Sequence, residues 1–163
     1  MKKEIIIVIA IIIIILIGVV YMFKFNKKIE IKNLNHFVFS YDVNNMMNGN
    51  VSYKFDKKES QYFVEIKPYE VDDDDTMVIE VNKEIQEELE KILIQYEVGK
   101  WNGFKKSDKN VLDGHSFSLS ARMDEDIWIE ASGYMKWPKN YREVKEKLDN
   151  LFMEIYNVNK KEG

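Results

Sequence analysis

The chain contains no cysteine. That excludes disulfides, thiolate metal sites, cysteine nucleophiles and the acylated cysteine that anchors a bacterial lipoprotein. It leaves the compartment open, because a domain of this size can stand on its hydrophobic core alone. Proline and glycine are scarce, at two and seven among 163 residues, while aromatics make up 13%. Such a composition is globular and argues against disorder over most of the length. Histidine is limited to His36 and His115, so a histidine metal site would need both to converge with a carboxylate. Each begins a strand-like segment, and a solvated strand end is the simpler reading of both. A basic face is missing as well. The net charge is −4, and residues 1–28 hold five Lys against one Glu, which leaves about −8 for the remainder. A domain this acidic does not hold nucleic acid by neutralising phosphates. It also stands off from anionic lipid and wall polymers, while cationic partners and divalent ions stay open.

What the sequence does have is one long apolar run. Residues 5–23 are uninterrupted, and at 1.5 Å per residue they would span roughly 28 Å, close to a hydrocarbon core. The isoleucines of residues 11–15 are poor helix formers in water. In lipid, where the backbone must close its own hydrogen bonds, helix is the expected form. The run ends in Tyr21, Met22, Phe23, Lys24 and Phe25, which are bulky where a signal-peptide cleavage site needs small residues. The reading is therefore an uncleaved signal anchor in a single-pass protein of the cell membrane, with Ile5, Ile11, Ile15 and Phe23 as anchor positions. Lys24, Lys27, Lys28 and Lys32 after the run outnumber Lys2 and Lys3 before it, which favours a cytoplasmic domain. The short Lys-Lys start is instead the shape of an anchor whose N-terminus stays inside. The expectation is an extracytoplasmic domain, with a cytoplasm-facing membrane regulator as the rival. Residues 1–28 are assigned to the anchor and its flanks, 29–35 to a linker, 36–157 to the soluble domain and 158–163 to a frayed tail.

Within that domain Phe37, Phe39, Tyr41 and Val43 alternate at strand period, as do Val51, Tyr53 and Phe55. Asn48 and Gly49 between them suit a tight hairpin turn. Tyr62, Val64 and Ile66 form a third strand ended by Pro68, and Met77, Ile79 and Val81 a short fourth. Asn82 is placed to cap a helix with Ile85, Leu89, Ile92, Leu93 and Tyr96 on one side, stopped at Gly99. Phe117, Leu119, Ala121 and Met123 alternate, then Ile127, Ile129, Ala131 and Gly133. Pro138 and Asn140 open a last helix with Tyr141, Val144, Leu148, Leu151, Phe152 and Ile155 on its apolar side. The order is β-β-β-(β)-α-β-β-α. It predicts an α+β fold: a twisted antiparallel sheet of five or six strands with two helices on one face, following the N-terminal transmembrane helix.

The most distinctive connector is Gly99-Lys100-Trp101-Asn102-Gly103-Phe104. Trp101 and Phe104 either fold back to plug the core or form a contact patch. Trp128, between Ile127 and Ile129, belongs on the opposite sheet face, and Trp137 either extends a patch or staples the last helix. The four together, Trp101, Phe104, Trp128 and Trp137, are the candidate contact residues. Gly114-His115-Ser116-Phe117-Ser118 lacks the second glycine of a nucleophile elbow and leads into a strand, so Ser116, Ser118 and Ser120 read as an outward strand face. Asp72, Asp73, Asp74 and Asp75 offer oxygen ligands for Ca²⁺ but lack the spacing and glycine of a binding loop. No catalytic residue, cofactor site or metal set is assigned.

Three segments carry a resemblance: Trp101-Asn102-Gly103-Phe104, then residues 113–119 (Asp-Gly-His-Ser-Phe-Ser-Leu), then Ala131-Ser132-Gly133-Tyr134 followed by Pro138 and Tyr141. Over residues 37–156 the chain resembles uncharacterised membrane-anchored proteins and lipoproteins of Clostridium-like low-GC Gram-positive bacteria. The resemblance implies an extracytoplasmic domain tethered by its N-terminus and transfers no activity. The resulting expectation is a non-enzymatic module at a bacterial membrane that binds a protein or small ligand. An enzyme or accessory subunit with a carboxylate and tyrosine site is the alternative.

Overall fold

In a computed structural model the chain is described at residues 12–15, 29–43, 49–69, 76–124 and 127–161. Four strands come first: β1 (Leu34–Asp42), β2 (Asn50–Lys58), β3 (Gln61–Lys67) and β4 (Met77–Val81). Helix α1 (Lys83–Gln95), a 3-10 turn (Val98–Trp101) and β5 (Phe104–Ser107) follow. Then come β6 (Ser116–Met123), β7 (Trp128–Tyr134) and helix α2 (Tyr141–Lys160). The sheet runs β4-β3-β2-β1-β6-β7-β5. Every pairing is antiparallel except that of β5 with β7.

Period-two alternation builds a sheet with two unlike faces. Phe37, Phe39, Tyr41, Val51, Tyr53, Phe55, Val64, Ile66, Phe117, Leu119, Ala121, Met123, Ile129 and Ala131 are all buried on one face. Leu89, Ile92 and Leu93 of α1 and Val144, Leu148, Phe152 and Tyr156 of α2 close over it. The Phe152 ring lies parallel to Tyr53 at 4.6 Å. The other face is polar: Ser52, Ser40, Ser118 and Ser132 stand in one row across β2, β1, β6 and β7. Asn82 caps α1 by accepting the Glu84 N–H at 3.1 Å. Ile31 and Leu34, within the stretch read as a linker, are part of the buried core.

Two expectations are corrected. The sheet has seven strands, not five or six, and is mixed rather than wholly antiparallel. The added strand is β5, whose Phe-Lys-Lys-Ser sequence shows no apolar period because an edge strand of four residues buries little. The spanning helix is the second correction. Among the described residues no helix is long and apolar enough to cross a membrane. Of the apolar run only Ile12, Ile13, Ile14 and Ile15 are described, as exposed helix. Ile5, Ile11 and Phe23 lie outside the described residues. The signal anchor, the single-pass membrane localisation and the extracytoplasmic placement built on it therefore have no support in the fold. The tight turn expected at Asn48 and Gly49 lies in part outside the described residues, which resume at Gly49, where its carbonyl accepts the Val43 N–H at 2.7 Å.

Candidate functional site

The segments that looked most distinctive in the sequence are fastenings between elements. Trp101 is 2% exposed, meets Phe117 edge-on and donates its indole N–H to the Lys139 carbonyl at 3.0 Å. Asn102 Oδ1 accepts the Glu130 N–H at 3.1 Å, and Gly103 N–H donates to the Glu130 carbonyl at 2.9 Å. Gly103 holds φ at 77°, a left-handed conformation that favours glycine. Asn140 Nδ2 reaches the Tyr96 carbonyl at 3.2 Å. Together these bonds tie the turn before β5 both to β7 and to the start of α2. Gly133 is required by close approach, since a Cβ there would sit 2.1 Å from the Lys136 carbonyl oxygen and 2.6 Å from the Phe117 ring. Ahead of β6, Tyr134 donates its hydroxyl to the Leu112 carbonyl at 2.8 Å.

The four candidate contact aromatics do not form one patch. Trp101, Phe104 and Trp137 line a shallow cleft of about 280 Å³ together with Lys100, Lys106 and Lys139. Lys100 and Lys139 both pair with Glu97 there. Trp128 lies on the polar sheet face, 41% exposed, with the His36 ring at 6.3 Å and the Arg122 guanidinium at 5.5 Å. His36 is held by Asp56, Nδ1 to Oδ1 at 2.6 Å. Burial pushes the Asp56 carboxyl up, but His36 and Lys54 outweigh it and hold the group below the usual carboxylate range.

A larger cleft, about 420 Å³, opens at the end of β1 against the first turns of α2. Its walls include Tyr41, Asp42, His115, Trp137, Tyr141 and Lys145. Trp137 thus borders both clefts. The Trp137 indole stacks on Tyr141 at 4.6 Å, which fixes the outer wall. Lys145 Nζ lies 4.0 Å from the centre of the Tyr41 ring and 2.6 Å from Asp149 Oδ2. Beneath it, Asp149 Oδ1 accepts the Tyr41 hydroxyl at 2.7 Å and the Tyr53 hydroxyl at 2.9 Å. At the strand end Asp42 Oδ2 accepts Ser116 N–H at 3.1 Å and Ser116 Oγ at 2.5 Å. His115 Nδ1 is buried and has no hydrogen-bond partner among the described residues.

The phenols record the local field. Burial, then Asp149, lifts Tyr41 and Tyr53 well above the ordinary range for tyrosine. Tyr141 is raised by burial first and then by the negative charges of Asp149 and Asp42. All three hydroxyls therefore stay protonated near neutrality, as donors and not as bases.

The constellation lacks the chain of groups that nucleophilic catalysis needs. Ser116 gives its proton to Asp42, and His115 Nδ1 bonds neither of them. Among the described residues no three His, Asp or Glu side chains gather as metal ligands. Asp72, Asp73, Asp74 and Asp75 lie outside the described residues. The residues missed in the sequence are Tyr41, Asp42, Tyr53, Lys145 and Asp149. Lys145 and Asp149 share one helix side at i,i+4 spacing, the sole local signal of the group. No protein-family model matches the chain, and none of the curated proteins is similar to it.

Proposed function

We propose that this domain is a non-catalytic binding module whose ligand is a small molecule seated in the cleft beneath Trp137. One observation carries the reading. A cleft of about 420 Å³ combines aromatic walls (Tyr41, Trp137 and Tyr141) with a few fixed polar groups (Asp42, His115 and Lys145). Ligand sites have this character: apolar surface supplies affinity and sparse polar groups set orientation, typically in about 300–1,000 Å³. The walls are preformed, because Tyr41 is tied to Asp149 and Trp137 to Tyr141, so a ligand need not order them.

The test is a ligand-observed NMR screen of small organic fragments against wild type and Trp137→Ala. Trp137 is 39% exposed, so the variant retains most of its core. Fragments that bind wild type and are lost on Trp137→Ala, with its melting temperature within a few degrees of wild type, are the expected result. A screen whose hits ignore the substitution would overturn the site. The enzyme reading has one observation in its favour, the short Ser116–Asp42 contact. A serine-reactive fluorophosphonate distinguishes the two, since covalent labelling of Ser116 would refute a purely binding role.

A further inference from the structure

We propose that this cleft receives a primary ammonium group, its N–H bonds accepted by the Asp42 carboxylate and its carbon body lying against Trp137 and Tyr41. The inference rests on the reading of the cleft as a small-ligand site and names the chemical class of that ligand.

Three features of different kinds point to a cation. The first is an ammonium already held at one wall. Lys145 Nζ lies on the Tyr41 ring face and on the Asp149 carboxylate, at 4.0 and 2.6 Å. A ring face and a carboxylate together stabilise such a group. Lys145 is thereby neutralised and is poorly placed to recruit an anion. The second is acceptor capacity. Ser116 engages Asp42 through Oδ2, and the carboxylate borders the cleft. A carboxylate accepts charge-assisted hydrogen bonds from an ammonium group. The third is the field. Asp42 and Asp149 stand against the single charge of Lys145, and both carboxylates push Tyr141 up. Residues 29–163 carry about −8 overall, which raises the local concentration of cations. An anionic ligand would meet the Asp42 carboxylate and the net charge of the domain with the wrong sign. The primary amine is favoured over a quaternary one because the carboxylate acceptor needs N–H donors.

Four probes of similar size separate the possibilities: benzylamine, benzyl alcohol, benzoate and benzyltrimethylammonium, titrated into the full chain by ligand-observed NMR. Benzylamine is expected to bind about tenfold more tightly than benzyl alcohol, the difference that charge-assisted hydrogen bonds provide. Benzoate should bind more weakly than either. The trimethyl compound keeps the charge but has no N–H, so it should fall towards benzyl alcohol. Asp42→Asn should erase the preference for benzylamine over benzyl alcohol. Asp42→Glu, which keeps the carboxylate, should retain the preference and provides the answer if Asp42→Asn does not fold. Benzoate binding as well as benzylamine would overturn the cation assignment while leaving the small-ligand site intact. Equal binding of the trimethyl compound and benzylamine would overturn the role of the Asp42 carboxylate as acceptor of N–H bonds. If no probe binds in a manner that Trp137→Ala abolishes, and the fragment screen is also blank, the cleft is not a ligand site at all.

Discussion

Removing Asp149 should weaken the fold far more than the loss of one half-exposed helix residue normally does. Its carboxylate accepts Tyr41 Oη at 2.7 Å, Tyr53 Oη at 2.9 Å and Lys145 Nζ at 2.6 Å. Tyr53 is 1% exposed and its ring is pressed against Phe152, so water cannot take the place of the carboxylate there. A buried hydroxyl left without its acceptor costs about 1–3 kcal/mol. Tyr41 borders the cleft, where water can reach it, so its share lies near the low end, about 1 kcal/mol. Loss of the i,i+4 pair with Lys145 adds about 0.3–0.5 kcal/mol, and the better helix propensity of alanine returns a similar amount. The expected cost of Asp149→Ala is therefore about 2–4 kcal/mol. Asp149→Asn keeps an acceptor oxygen and should cost about half as much.

The assay is urea unfolding followed by tryptophan fluorescence, with Trp101 as the buried reporter. A double-mutant cycle with Tyr53→Phe isolates the cause. With the phenol hydroxyl gone there is no orphan, so Asp149→Ala should cost about 1–2 kcal/mol less in that background. Phenolate absorbance gives a second readout, because part of the upward shift of Tyr53 comes from Asp149 and must relax when it is removed. Strict additivity of the two substitutions, or a cost below about 0.5 kcal/mol for Asp149→Ala, would refute the reasoning.

Stability should fall on the alkaline side. The folded state holds Tyr41, Tyr53 and Tyr141 protonated above the usual phenol range, so above about pH 10 the unfolded chain loses protons that the folded one keeps. Stability then declines with rising pH by at most about 1.4 kcal/mol per unit for Tyr53, and by less each for Tyr41 and Tyr141, which border the open cleft. Urea midpoints at pH 9 and 11 check this, and equal midpoints would contradict it. Trp101→Ala should cost about 3–5 kcal/mol because it empties a core site and orphans the Lys139 carbonyl, whereas an equally stable variant would return the residue to a contact role. Gly133→Ala should destabilise by about 1–3 kcal/mol or prevent folding, since its Cβ would collide with the Lys136 carbonyl and the Phe117 ring. A melting temperature within error of wild type would show that the segment after β7 yields easily.

The strands were legible where one face is buried and the other is not. Phe37, Phe39 and Tyr41 alternate with His36, Val38 and Ser40 because the sheet imposes the same division on β1, and β2, β6 and β7 repeat it. Phe104–Ser107 escaped notice because it is a short edge whose order comes from β7 and not from its own side chains. The cleft was hidden for a stronger reason. Asp149 meets Tyr53 and Tyr41 across 96 and 108 residues of chain, and neither tyrosine differs in its local pattern from an ordinary inward strand residue. Alternation marks which side a residue faces, and it carries no information about which polar group meets it there.

The fastening around Trp101 bears on the cleft although Trp101 does not line it. Its indole bonds the Lys139 carbonyl, and Asn140 bonds the Tyr96 carbonyl, so the residues just before α2 are held from two directions. Pro138 and Trp137 precede that clamp, and Tyr141 follows it. The Trp137–Tyr141 stack that walls the cleft therefore depends on contacts made by a loop on the far side of Trp137. A substitution that loosens the clamp and leaves the core filled should move the cleft before it unfolds the domain. Asn140→Ala is that substitution, because Asn140 holds φ at 63° and its side chain makes the single bond to Tyr96. Replacing it removes one hydrogen bond and strains a left-handed position, at about 1–2 kcal/mol in all. Probe binding beneath Trp137 should weaken by more than that change in stability could produce through unfolding, because a domain that retains several kcal/mol stays almost wholly folded. If affinity for the probes is unchanged while the predicted stability is lost, the clamp serves the fold alone and the cleft wall is set by α2 itself.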